Sequence, residues 1–111
     1  MSYNLDKLNE LSGGDKDFNV SIIEVFLAET PADMDQLEEA VEAKDYEKIY
    51  QHAHKIKPNA DLLGMNEALE AVLTIEGHAR GDQDIASIVS LTSKVREELD
   101  KAYPYFRDYI Q

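Results

Sequence analysis

One hundred and eleven residues suffice for one small domain, and a hydrophobic share of 43% is enough for a packed core. Acids outnumber bases 23 to 11, a formal net charge of −12, which argues against binding to nucleic-acid phosphates or to anionic lipid. The absence of cysteine excludes disulfides and thiolate metal or redox chemistry. No apolar run approaches the roughly 20 residues needed to span a bilayer, and the N-terminus lacks the basic-then-apolar order of a secretory signal. The expectation is a cytoplasmic single domain over residues 1–111.

The apolar spacing is helical nearly throughout, and hairpin signals are missing. Leu5, Leu8 and Leu11 predict a short opening helix that Ser12-Gly13-Gly14 ends, with Asp15 as the N-cap of a second helix. Phe18, Ile22, Val25 and Phe26, continued by Met34, Leu37 and Val41, form one stripe. Its phase resumes beyond Pro31 without a loop-like gap, so one long, kinked helix is expected. After a break at Lys44-Asp45, a third helix carries Ile49, Ala53, Ile56, Ala60 and Leu63. Gly64 and Asn66 are expected to close it and cap a fourth helix bearing Leu69, Val72, Leu73 and Glu76. Beyond the turn at Gly81-Asp82, the fifth helix reads Ile85, Ile88, Thr92, Val95, Leu99, Ala102 and Phe106, with Pro104 expected to kink or end it. Tyr103, Tyr105, Phe106 and Tyr109 form an expected C-terminal packing cluster, whereas Glu38-Glu39 and Glu97-Glu98 are expected on solvated faces. The fold implied is all-α, an up-down antiparallel four-helix bundle with a short extra N-terminal helix as a lid.

The three histidines and the acids are the candidates for chemistry. His52 and His54 are two residues apart and diverge by about 200° on a helix, so they cannot chelate one ion. His78 has no evident ligand partner within its own turn, and no metal site is expected. Against the Ile49–Ala53–Ile56–Ala60 stripe, His54 lies about 140° away and faces solvent, while His52 sits roughly 60° off as a boundary residue. Taken alone, His54 reads as a solvated surface histidine. Its neighbours change that: Glu47, Tyr50, Gln51, Lys57, Pro58 and Asp61 share the exposed face, with Lys57 one turn on. Proline inside a helix costs about 3 kcal/mol, so Pro58 one turn after an exposed histidine needs a reason beyond propensity. Gly64 leaves a small residue further along, either for the approach of another backbone or to end the helix.

The run Ala53-His54-Lys55-Ile56-Lys57-Pro58-Asn59-Ala60-Asp61-Leu62-Leu63-Gly64 resembles the signature of the histidine phosphotransfer (HPt) family, Ala-His-x-Leu-Lys-Gly-Ser-x-x-x-Leu-Gly. Ala53, His54, Lys57, Leu63 and Gly64 match, and Ile56 stands for Leu. The likeness extends to the proline-interrupted acidic helix before it and to the helix order. Pro58 replaces the family glycine and Asn59 the following serine, changes that bear on partner choice.

The resemblance implies that His54 accepts a phosphoryl group from the aspartyl phosphate of one response-regulator receiver domain and donates it to another, with Nε2 as nucleophile. Free imidazole titrates at about 6.5, so roughly three-quarters is neutral at pH 7 and no activating base is required. Lys57 would stabilise the phosphoryl group. Tyr50, Gln51, Pro58, Asp61 and Gly64 would meet the partner, with Tyr46 flanking. No cofactor of its own is expected, Mg²⁺ arriving with the receiver domain. A monomer is expected, a stoichiometric carrier rather than an enzyme, with a hybrid sensor histidine kinase as a further candidate partner. The alternative is a helical adaptor that binds receivers through the same face without being phosphorylated.

Overall fold

A computed structural model describes residues 3–111. It contains five helices, α1 (Asp6–Ser12), α2 (Lys16–Glu42), α3 (Tyr46–Leu62), α4 (Asn66–Arg80) and α5 (Ile85–Tyr109), and no strand among the described residues. Consecutive long helices α2 to α5 pack side by side and α5 closes the ring against α2, while the diagonal pairs make no close backbone approach. Connections this short force antiparallel neighbours, so the bundle is up-down-up-down. The opening helix packs on α2 and α3.

Each helix boundary has a local cause. Asp15 caps α2 by accepting from the backbone N–H groups of Asp17 and Phe18. Asp45 and Asp84 cap α3 and α5 by accepting from Lys48 and Ser87. No side chain caps α4, so Asn66 is its first residue rather than its cap. The ends of α2 and α3 share one hydrogen-bond pattern. Lys44 N–H donates to Val41 and Asp45 N–H to Ala40, and Gly64 N–H donates to Asp61 and Met65 N–H to Ala60. Both are Schellman turns that need one left-handed residue. Gly64 (φ 69°) takes that conformation without steric cost, while Lys44 (φ 54°) adopts it with a side chain. Both α2 and α5 run unbroken through Pro31 and Pro104, and α3 through Pro58.

The core holds Ile49, Ala53, Ile56, Ala60 and Leu63 of the α3 region and Ile88, Val95, Leu99, Ala102 and Phe106 of α5, as their spacing predicts. Several other positions differ. Leu11 is 62% exposed, Phe18 and Val25 are also exposed, and Ile23 fills the core position between them. On α4 the buried line is Ala68, Val72, Ile75 and Ala79, with Leu73 turned outward. Helix α5 continues past Pro104 because its last turns are held by aromatic packing. Phe106 meets Phe26 edge-on at 5.7 Å, and Tyr105 meets Tyr3 edge-on at 4.8 Å. The acidic pairs are more committed than solvated faces require. Glu38 and Asp35 grip Arg96, raising its already high pKa, and Glu97 and Glu98 flank Lys101. Among the described residues no helix is long and apolar enough to cross a membrane.

At Gly64 a Cβ would lie 2.2 Å from the carbonyl oxygen of Asn4, whereas Gly13, with nearly the same φ of 66°, has open space around it. The left-handed conformation alone costs an L-residue about 1–2 kcal/mol. We expect Gly13→Ala to lose about that much stability, and Gly64→Ala to lose more because the Asn4 segment must also move, as read by urea denaturation.

Candidate functional site

Helix α3 is held at its start by the Asp45 cap and at its end by the Gly64 turn, and His54 projects from its middle on the side away from the Ile49–Ala53–Ile56–Ala60 stripe. The His54 side chain is 54% exposed. Its Nδ1 lies 2.9 Å from Oε2 of Glu76, whose side chain is only 8% exposed. A carboxylate can only accept, so Nδ1 donates and carries the ring proton, which leaves the lone pair of the neutral imidazole on Nε2. No described residue bonds Nε2.

Glu76 serves two donors. Lys57 Nζ lies 3.3 Å from its Oε1 and 3.4 Å from its Oε2, with the lysine side chain 30% exposed. Burying a carboxylate is costly unless it is paired and hydrogen-bonded. Here one turn of α3 provides both partners, His54 and Lys57, at i and i+3. Glu76 reaches them because it lies four residues after Val72, at the α3-facing edge of the buried line on α4. On the opposite flank Lys55 Nζ pairs at 2.9 Å with Asp33 of α2, a buried carboxylate whose hydrogen bond raises the lysine pKa.

Tyr50, one turn before His54, stacks on its ring with centroids 5.5 Å apart and planes 16° from parallel. Arg80 of α4 lies over the Tyr50 ring, its Cζ 3.6 Å from the centroid. Gln51 and Pro58 are exposed on the His54 face, and Tyr46 is half-buried. Asp61 is there too, ion-paired to Lys7 of α1. Gly64, read from the sequence as partner-facing, instead meets the chain's own Asn4 backbone, which fills the space a side chain would occupy. His52 is half-buried at the α2 edge, as its wheel position predicts.

His78 corrects one expectation. It does have a partner in its own turn, since its Nδ1 lies 2.7 Å from Oδ1 of Asp82. With Asp84 these side chains form the only His/Cys/Asp/Glu trio among the described residues whose potential ligand atoms all fall within 4.8 Å of one another. Their oxygens already serve the α4–α5 turn: Asp82 Oδ1 also accepts from Asp84 N–H, and Asp84 accepts from the amide and hydroxyl of Ser87. The His78 hydrogen bond is the first cause holding the Asp82 carboxyl below its ordinary range, and the Ser87 amide does the same for Asp84.

The missed members of the site are Glu76, Arg80 and Asp33. The sequence offered a signal only for Glu76, a charge placed in register with Leu69 and Val72 where an apolar residue is the norm.

Fold and site together define a class, a small helical bundle that presents one oriented imidazole from the flank of its second long helix. The family model described as the Hpt domain matches residues 21–103, and the chain belongs to that family. It is also similar to the phosphorelay intermediate protein rdeA of Dictyostelium discoideum, at 21% identity over 107 residues covering 96% of this chain. The chain spans 42% of that protein's length. No solved structure matches it significantly.

Two measurements test this geometry. In nitrogen-15 spectra the neutral His54 ring should be protonated mainly at Nδ1, and Glu76→Leu should shift population toward the Nε2–H form, the intrinsic preference of free histidine. Because the folded Asp84 carboxyl is more acidic than an unfolded one, its cap contributes fully above about pH 4 and is lost as pH falls through the lowered value. The Ser87 amide proton resonance should therefore titrate with a midpoint below about 3.9, and Asp84→Asn should remove that titration.

Proposed function

We propose that this protein is a phosphocarrier in which His54 receives a phosphoryl group from the aspartyl phosphate of a response-regulator receiver domain and passes it to another receiver. The observation that supports this reading most is the pairing of an exposed His54 with a buried Glu76, which leaves Nε2 as the ring nitrogen free to react.

The chemistry is a displacement at phosphorus. The Nε2 lone pair forms the N–P bond as the acyl P–O bond of the donor breaks, and the electron pair leaves with the donor carboxylate. The imidazole becomes positively charged as the bond forms. Glu76, 2.9 Å from Nδ1, offsets that charge without having to remove a proton, so the cationic ring stays a good leaving group for the return step. Transfer of this kind depends on positioning and charge stabilisation more than on covalent work by the protein. Lys57 is held beside the ring by Glu76 and can turn toward an arriving phosphoryl group. An exposed ion pair contributes about 0–1 kcal/mol, and more once a docked protein excludes water. The acceptor and donor domains supply Mg²⁺, and this chain acts stoichiometrically.

Gln51, Pro58 and Tyr50 share the imidazole's face of α3, which a receiver must cover, and Leu73, 47% exposed and three residues before Glu76 on α4, adds exposed apolar surface on the neighbouring helix. The chain's own acidity, −12 overall, favours a partner whose rim carries positive charge.

The test is incubation with a panel of radiolabelled phosphorylated receiver domains. The expected result is acid-labile, alkali-stable label on the wild-type protein, none on His54→Gln, and slower but measurable labelling on Lys57→Ala. Receiver binding without label would favour a non-phosphorylated adaptor. Complete loss of labelling in folded Lys57→Ala would place the lysine among the indispensable groups.

A further inference from the structure

The hydrogen bond to Glu76 sets where Nδ1 points, but it does not by itself set the plane of the ring, which can rock about the Nδ1···Oε2 line. An exposed imidazole in that condition would sweep Nε2 through an arc. Two contacts oppose the motion. The Tyr50 ring lies nearly parallel to the imidazole, 16° between planes at 5.5 Å, within the range for offset aromatic stacking. Arg80 in turn sits over Tyr50 at 3.6 Å, a cation–π contact that limits rotation of the tyrosine.

The placement of Arg80 is informative because the chain offers it 23 carboxylates. Arg96 takes two of them, yet among the described residues no carboxylate lies within ion-pair distance of Arg80. As the last residue of α4 it faces the helix C-terminus, which favours a cation. That effect accounts for a positive charge there but not for its seat on the aromatic face. Glu76 and Arg80 are one turn apart on α4, as Tyr50 and His54 are on α3, so the two helices contribute matched pairs: one holds the ring edge and the other its face.

We propose that Tyr50 and Arg80 are positioning residues, a stacked clamp between α3 and α4 that fixes the plane of the His54 imidazole and so aims Nε2 at the incoming phosphorus. The inference rests on the phosphocarrier reading for its effect on rate, but its structural part stands without it. A fixed near-attack geometry is a large source of rate in group transfer, and Arg80 works through Tyr50 rather than on phosphate.

The experiment pairs a ring readout with a rate in wild type, Tyr50→Leu, Tyr50→Phe, Arg80→Gln, Arg80→Lys and the Tyr50→Leu/Arg80→Gln double variant. In the protein alone, the His54 ring protons should be shifted upfield by the Tyr50 ring current. That shift should vanish in Tyr50→Leu, shrink in Arg80→Gln and return in Tyr50→Phe and Arg80→Lys. With a phosphorylated receiver, Tyr50→Leu and Arg80→Gln should each slow transfer about fivefold, with the two conservative variants restoring most of the rate. The double variant should be no slower than Tyr50→Leu alone, since partners in one chain of action are not additive. A double variant slowed by the product of the single effects would overturn the proposal by placing Arg80 on the partner directly. Unaltered ring shifts in Arg80→Gln would overturn it too. Failure of the wild type to accept phosphate from any receiver would defeat the phosphocarrier reading, and the ring shifts would still decide whether the clamp exists.

Discussion

A buried carboxylate must be balanced, and that requirement organises this site. Glu76 is almost fully withdrawn from water, yet its two oxygens are met by Nδ1 of His54 and Nζ of Lys57. A buried charge left alone would destabilise the bundle, so the fold itself holds both α3 side chains at the α3–α4 seam. The same contact determines which ring nitrogen bears the proton. Stability and the choice of ring tautomer therefore share one interaction.

The scaffold around that contact is built to keep α3 still. Schellman turns close both the helix before it and α3 itself, Asp45 caps its start, and α2 and α4 flank it along its length. Pro58 is tolerated inside α3 because it lies on the exposed face, where the acceptor freed four residues earlier need not be buried. Gly64 serves the fold by admitting the Asn4 backbone, so the segment leading into α1 is tied to the end of the histidine helix. Lys7 of α1 reinforces the tie through Asp61.

Much of this was legible in the sequence, and the exceptions have physical reasons. The α3 stripe and the solvent-facing direction of His54 follow from period alone, because alanines and isoleucines at steps of three and four leave one solution. Helix α2 was harder: Ile22 and Ile23, or Val25 and Phe26, are adjacent apolar residues, and periodicity cannot choose which member of each pair turns inward. Ile23 and Phe26 do. On α4 small alanines, which carry little hydropathy signal, form much of the buried line, and the larger Leu73 is left outside. The contacts of Glu76 with His54 and of Arg80 with Tyr50 join residues 22 and 30 positions apart, and no local pattern encodes such distances. The persistence of α5 beyond Pro104 depends likewise on partners far away in the chain, Tyr3 and Phe26.

Because α5 closes the ring of four helices on α2, every long helix already touches both of its neighbours. A new charge on the flank of such a bundle meets helices that are each braced on two sides. Under the phosphocarrier reading, His54 would then bear its burden as cargo, without changing the vessel. The signal would be conserved as chemical potential, and any change of shape would belong to the protein that receives it.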